Sequence, residues 1–297
     1  MTLDRKTLAG VALVVCGIGL VYRQVLVDLV DAWINDGNYS HGFLILPIAA
    51  YFVWERRERL RRAPVRPHWS GLVVLGGSIL VLLAGLLGSE LFLSRVSLLG
   101  VVAGIVLFLF GAAHLRILAF PIAFALLMIP LPAILFNQVA LPLQFLASRV
   151  GEASIAAVNI PVLREGNVLI LANTSLEVAE ACSGIRSLVS LITLGLVYGY
   201  FSDSRLWVRM AIVLSTIPVA ILANGARVAG TGILAHFWGS SAAEGFFHEF
   251  SGWVMFLVAF LMIAGIRALI VRIVPAGNVT APIGGHVAVA DLPGAAD

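Results

Sequence analysis

Apolar residues come in long, nearly unbroken runs separated by short polar stretches. This is neither the period-two alternation of a half-buried strand nor the one-sided stripe of a soluble helix. A helix needs roughly 20 apolar residues to cross about 30 Å of hydrocarbon. The runs predict about eight crossings, at 7–27, 41–54, 70–88, 96–113, 116–135, 183–201, 208–228 and 248–271. The second is short and contains Gly42 and Pro47, so a partly re-entrant course is the alternative for it. The stretch 136–181 departs from the pattern. Asn137 to Ile155 alternates loosely at helical spacing, interrupted by Pro142, and predicts a helix lying at the membrane interface. Val168–Ala172 and Ser175–Val178, joined by Asn173-Thr174, predict a small extracytoplasmic β-hairpin. The predicted fold is therefore an all-α polytopic membrane protein carrying that hairpin.

Composition agrees: 60% hydrophobic residues, 12% charged and a mean hydropathy of +1.02 exclude a soluble domain. The net charge of +3 does not imply a nucleic-acid partner. Of the 19 Lys and Arg residues, 13 fall on one side of the predicted crossings: Arg5 and Lys6, the run Arg56 to Arg66, Arg116, Arg205, Arg209, Arg267 and Arg272. Basic residues beside crossings stay in the cytoplasm, so that side and both chain ends are expected inside. The other side is acidic, with Asp28, Asp31 and Asp36 expected in the first outer loop. The N-terminal run resembles a signal peptide but has no small-x-small cleavage site, which predicts a retained first crossing. Residues 1–274 are expected to form one integral membrane unit, and 275–297, rich in Gly, Ala and Pro, a disordered cytoplasmic tail. Two cysteines, Cys16 and Cys182, give neither a disulfide pattern nor metal-ligand spacing, and no cofactor is implied.

Ionisable groups inside crossings are costly, so each needs an interfacial position or a role. Three polar groups are predicted at outer helix ends. Cys182 begins the sixth crossing; Arg227, with Asn224 one turn earlier, ends the seventh; His248 begins the eighth. At a helix start, unpaired backbone N–H groups and the dipole favour a thiolate. Nucleophile, base and cation together permit acyl transfer: the thiolate attacks, the imidazole moves the proton and the guanidinium stabilises the oxyanion. Taken singly, each is also an ordinary interface or packing residue. Arg186, four residues after Cys182, is an alternative for the oxyanion role. His41, in the run Tyr39-Ser40-His41-Gly42, is a further candidate at an outer helix mouth.

The runs AEACSGIRSL (179–188), ILANGARVAGTG (221–232) and HEFSGWVMF (248–256) resemble, in order and spacing, the signature blocks of the exosortases, the EpsH-like group in particular. YSHGFLILP (39–47) and the hairpin region extend the resemblance from about residue 31 to 271. It implies a membrane-embedded cysteine protease or transpeptidase, with the A type as the expected subgroup. Its expected partners are membrane-anchored proteins bearing a C-terminal Pro-Glu-Pro motif, a transmembrane helix and a basic cluster, the PEP-CTERM signal. It would sit in the bacterial inner membrane with its site facing the periplasm, in cells that export exopolysaccharide. Carried over by position, Cys182 is the nucleophile, Arg227 the cation and His248 the acid/base. Some members have an additional C-terminal domain, whose function is expected here to be absent or supplied by another protein. The competing readings are a transporter and a non-catalytic component of a polysaccharide export system. A transporter would require ionisable groups near the bilayer midplane rather than at one face.

Overall fold

A computed structural model of the chain describes residues 16–172, 174–178, 185–239 and 246–274, with the backbone alone at 185, 246–249 and 251. Arg5, Lys6, Cys182 and the tail from 275 lie outside the described residues. The described chain is mostly helical. Helical residues 16–21 lead through a turn at Tyr22 into α1 (Arg23–Asn35), followed by α2 (Gly42–Glu55), the short α3 (Arg57–Arg62), α4 (Ser70–Leu87) and α5 (Leu91–Leu109). Next come α6 (Ala112–Phe124), ending in a 3-10 turn to Met128, and α7 (Ala133–Ala157). Strands β1 (Val162–Glu165), β2 (Val168–Leu171) and β3 (Ser175–Glu177) precede α8 (Ile185–Ser202), α9 (Leu206–Trp238) and α10 (Phe246–Ile273).

Among the described residues five helices are long and apolar enough to cross a membrane: α4, α5, α7, α9 and residues 252–273 of α10. Gly42–Glu55 and Ala112–Met128 are shorter apolar helices. Basic and aromatic contacts gather one end of the bundle. At that end Tyr200 Oη donates to Glu55, the Arg56 and Arg209 guanidiniums lie 5.0 and 4.9 Å from the Tyr200 ring, and Arg267 Nη2 donates to the Ser202 carbonyl at 2.7 Å. Arg205 Nη1 donates to the Val274 carbonyl, and the Arg66 N–H to the Phe110 carbonyl. At the other end Trp33 Nε1 donates to the Met128 carbonyl at 2.8 Å, and Arg186 Nε to Asn38 Oδ1 at 3.3 Å. The short α2 therefore meets neighbours at both ends of the bundle.

Several boundaries differ from expectation for identifiable reasons. The first helix runs to Asn35 rather than 27, which puts Asp28 and Asp31 on α1 and not in a loop. Val25, Leu29 and Trp33 recur every four residues and bury one stripe, while Gln24–Asp28 and Asn35–Asp31 hydrogen bonds occupy another face. Helix α5 begins at Leu91 instead of 96, because the Glu90 side chain accepts from the Phe92 N–H and caps it. It thereby carries Arg95 inward to 5% exposure, with Nη2 donating to the Asp28 carbonyl. The fifth run, expected at 116–135, stops at Met128 before Pro130 and Pro132.

The expected interfacial helix extends over Ala133–Ala157 and is itself apolar enough to cross, although its mean hydropathy of 1.2 is the lowest of the five. Both its ends face the less basic end of the bundle. It starts beside Tyr39, whose ring lies 6.3 Å from that of Phe136, and it finishes in the sheet. The expected hairpin is there, with β2 antiparallel to β3, and a third strand pairs β1 with β2. The signal for β1 was present: Gly166-Asn167 separates two short apolar runs. Gly166, at φ +64, takes the left-handed conformation that a two-residue hairpin turn demands at its first position.

Candidate active site

The three helices expected to carry the reactive groups meet at the less basic end. A recess there is lined by Ser187 and Leu191 of α8, Ala223, Asn224 and Arg227 of α9, and Gly252, Met255, Phe256 and Ala259 of α10. Its lower walls are apolar because Leu191, Ala223 and Ala259 belong to the cluster formed by α8, α9 and α10. Its polar groups are Ser187, Asn224 and Arg227. Asn224 is only 5% exposed, and it shares a face with Arg227 at i,i+3 spacing. Arg227 Nη1 lies 3.8 Å from where a Cβ on Gly252 would stand.

Helical rise explains why Arg227 sits there. It is twenty-one residues on from Leu206, about 32 Å along α9, which matches the hydrocarbon thickness of about 30 Å. The helix does not end at Arg227 as expected, but continues to Trp238. Its added turns are supported laterally: Val228 and Ala229 pack into a buried cluster with Ala147 and Ile155 of α7, Leu169 and Leu171 of β2, and Val178. The sheet is tied to α7 by Arg164 Nε donating to Glu152 Oε2 at 2.9 Å and by Ser148 Oγ donating to the Gly166 carbonyl. The Val178 N–H donates to the Asn167 carbonyl, fixing the chain just before the segment that holds Cys182.

Of the expected site residues, Cys182 lies outside the described residues, between Val178 and the first residue of α8. His248 lies in the first turn of α10, where the backbone is helical, one turn before Gly252. Arg227 and Asn224 are brought together in the recess. Arg186 reaches instead to the loop between α1 and α2. Its guanidinium stands within 2.9 Å of the place a Gly37 Cβ would occupy, and it bonds Asn38. His41 lies at the end of that loop, with Nε2 3.2 Å from the Leu127 carbonyl. Ser187 was not singled out from sequence. The available signal was its i,i+4 relation to Leu191, which puts both on the inward face of α8. No group of three or more His, Cys, Asp or Glu that could hold a metal occurs among the described residues.

Apolar helices long enough to cross, a recess where three helices meet with polar residues from α8 and α9, and a small sheet beside it define a multi-span membrane protein with a candidate site at one end. Residues 33–265, well over half the chain, match the family model described as transmembrane exosortase (Exosortase_EpsH). The chain belongs to this transmembrane exosortase family. No curated protein and no solved structure matches it significantly.

Proposed function

We propose that the chain is a membrane-embedded cysteine peptidase or transpeptidase that cleaves C-terminal sorting signals of the PEP-CTERM type. It would act at the periplasmic face of the bacterial inner membrane and cross that membrane eight times, with α7 and the sheet on the periplasmic side. The observation that carries this reading is the shared recess. Ser187 is five residues after Cys182, Gly252 is four after His248, and both line the same space as Arg227. The membership in the exosortase family and the separation of basic from less basic ends support it.

In this mechanism the Cys182 thiolate attacks the carbonyl carbon of a peptide bond just outside the substrate's transmembrane helix. Arg227 donates N–H groups to the oxyanion that forms. Collapse breaks the C–N bond, His248 gives the leaving amine its proton, and a thioester remains on the sulfur. Water or an amine then resolves the thioester. Asn224 holds the Arg227 side of the recess, and Arg186 anchors the start of α8 to the first outer loop, so that it positions rather than reacts.

The test is processing of a membrane-anchored protein carrying such a signal, followed by its change in size. Cys182→Ala is expected to abolish processing while the protein still inserts. Arg227→Ala is expected to slow it by about 100- to 1000-fold, the usual cost of a lost oxyanion donor. Normal processing by Cys182→Ala would remove the mechanism altogether.

A further inference from the structure

The arginines at the basic end fall into two sets. Arg56, Arg205, Arg209 and Arg267 are spent inside the molecule. Arg56 lies over the Phe52, Phe120 and Tyr200 rings and bonds the Phe52 carbonyl; Arg205 is paired with Asp203; Arg209 and Arg267 bond the Asp203 and Ser202 carbonyls. Arg57, Arg59, Arg62 and Arg66 are different. All four are exposed, and none has an acidic side chain in salt-bridge range among the described residues, the nearby Glu58 being taken by Arg61 at 3.1 Å. They follow α2 directly, on the short α3 and the segment after it. The Arg57 guanidinium stands 4.1 Å from the ring of Trp54, which is 56% exposed, and donates to the exposed Trp54 carbonyl at 3.1 Å, which keeps it at the surface; Trp69 is 71% exposed. Amphipathic tryptophans of this kind settle at headgroup depth. The Arg57 guanidinium is thereby held on a ring at the level of lipid phosphates, with exposed Arg59, Arg62 and Arg66 close by in the chain, and a guanidinium fork matches a phosphate better than an ammonium does.

We infer that the exposed arginines of α3 and the segment following it, set beside interfacial Trp54 and Trp69, form a binding surface for anionic phospholipid headgroups. Orientation during insertion needs only an excess of positive charge on one side, which either set of arginines supplies. Outward-facing charge left without carboxylate partners, with Arg57 seated on the exposed Trp54, is what headgroup recognition adds. Each arginine near an anionic surface is worth about fivefold in affinity.

The protein is reconstituted into nanodiscs of phosphatidylcholine with phosphatidylglycerol, re-extracted in mild detergent, and its retained lipid quantified by mass spectrometry. Wild type is expected to retain phosphatidylglycerol at least about tenfold above its share of the input, with the enrichment falling as salt rises. Arg57→Gln/Arg59→Gln/Arg62→Gln is expected to lose that enrichment, and the corresponding triple Lys variant to keep most of it. Arg209→Gln serves as the control, expected to lower thermal stability while leaving the enrichment intact. Equal retention of the two lipids by wild type, or undiminished enrichment in the triple Gln variant, overturns the proposal. So does inorganic phosphate alone, at matched ionic strength, protecting the detergent-solubilised protein as well as phosphatidylglycerol does, because the surface would then take a free anion rather than a lipid.

Discussion

Trp33 and Gly42 depend on each other. The buried indole donates to the Met128 carbonyl across the gap between α1 and the 3-10 turn, and it occupies the space where a Cβ on residue 42 would stand, 2.2 Å from Nε1. Gly42→Ala therefore forces the ring off its acceptor, and thermal unfolding in detergent is expected to show a loss of about 1–3 kcal/mol. Gly76→Ala, where no atom beyond the helix's own adjoining backbone lies within 4 Å of the added carbon, is expected to be neutral or slightly stabilising through helix propensity. At the opposite end Asp203 sits in the connection between α8 and α9, with Arg205 donating to it through Nε, Nη2 and the backbone N–H. The Arg205 side chain holds its carboxyl below the usual carboxylate range. Because the folded-state pKa is the lower one, the stability it contributes is complete above the unfolded value of about 3.9 and disappears as pH falls through the folded value. Asp203→Asn is expected to be less stable than wild type at neutral pH, with the gap closing in acid. A gap that stays constant in melts across that range would show that the carboxylate charge is irrelevant.

Helices α7 and α9 approach closely through two glycines. A Cβ on Gly225 would stand 2.4 Å from Val150 Cγ1, and one on Gly151 would stand 2.7 Å from Val228 Cγ1. This seam supports the outer turns of α9, and the sheet packs beside it through Leu169 and Leu171. Gly225→Leu should push α7 away and carry the sheet with it, just two residues from Arg227. We expect lower stability together with loss of processing, whereas Gly230→Ala, in open space on the same helix, should change neither. Normal processing by Gly225→Leu would mean that the seam does not hold the recess. The β2–β3 hairpin and the helical character of the stretch before it were legible because alternation and a short polar turn are local signals, whereas β1 was not among the expectations although its Gly166-Asn167 turn is equally local. The extension of α9 past Arg227 was not legible, because what keeps those turns helical is a sheet distant in sequence.

Across the whole molecule the two ends differ in kind. One gathers Glu55, Arg56, Tyr200, Asp203, Arg205, Arg209 and Arg267; the other carries the Trp33–Met128 and Arg186–Asn38 contacts and the recess. If the bundle crosses as proposed, these ends face different compartments. In a Cys16→Ser/Cys182→Ser background, Glu165→Cys is expected to react with a membrane-impermeant maleimide in intact spheroplasts, and Arg66→Cys only after permeabilisation. Labelling of both from the same side would refute the proposed path.

Sequence alone determined that the chain is a helical membrane protein, which end is basic, and the family resemblance, because run length, composition and ordered motifs need no knowledge of contacts. It also selected Arg227 and Asn224, since a polar pair at i,i+3 spacing near the end of an apolar run is visible in one dimension. Tertiary structure alone decided that Ser187, Asn224, Arg227 and Gly252 share one recess, that Arg186 turns to Asn38, and that Arg95 is buried against the Asp28 carbonyl. Each of those depends on how helices far apart in sequence pack, and packing is set by close contacts such as Gly225 against Val150 that no local pattern encodes.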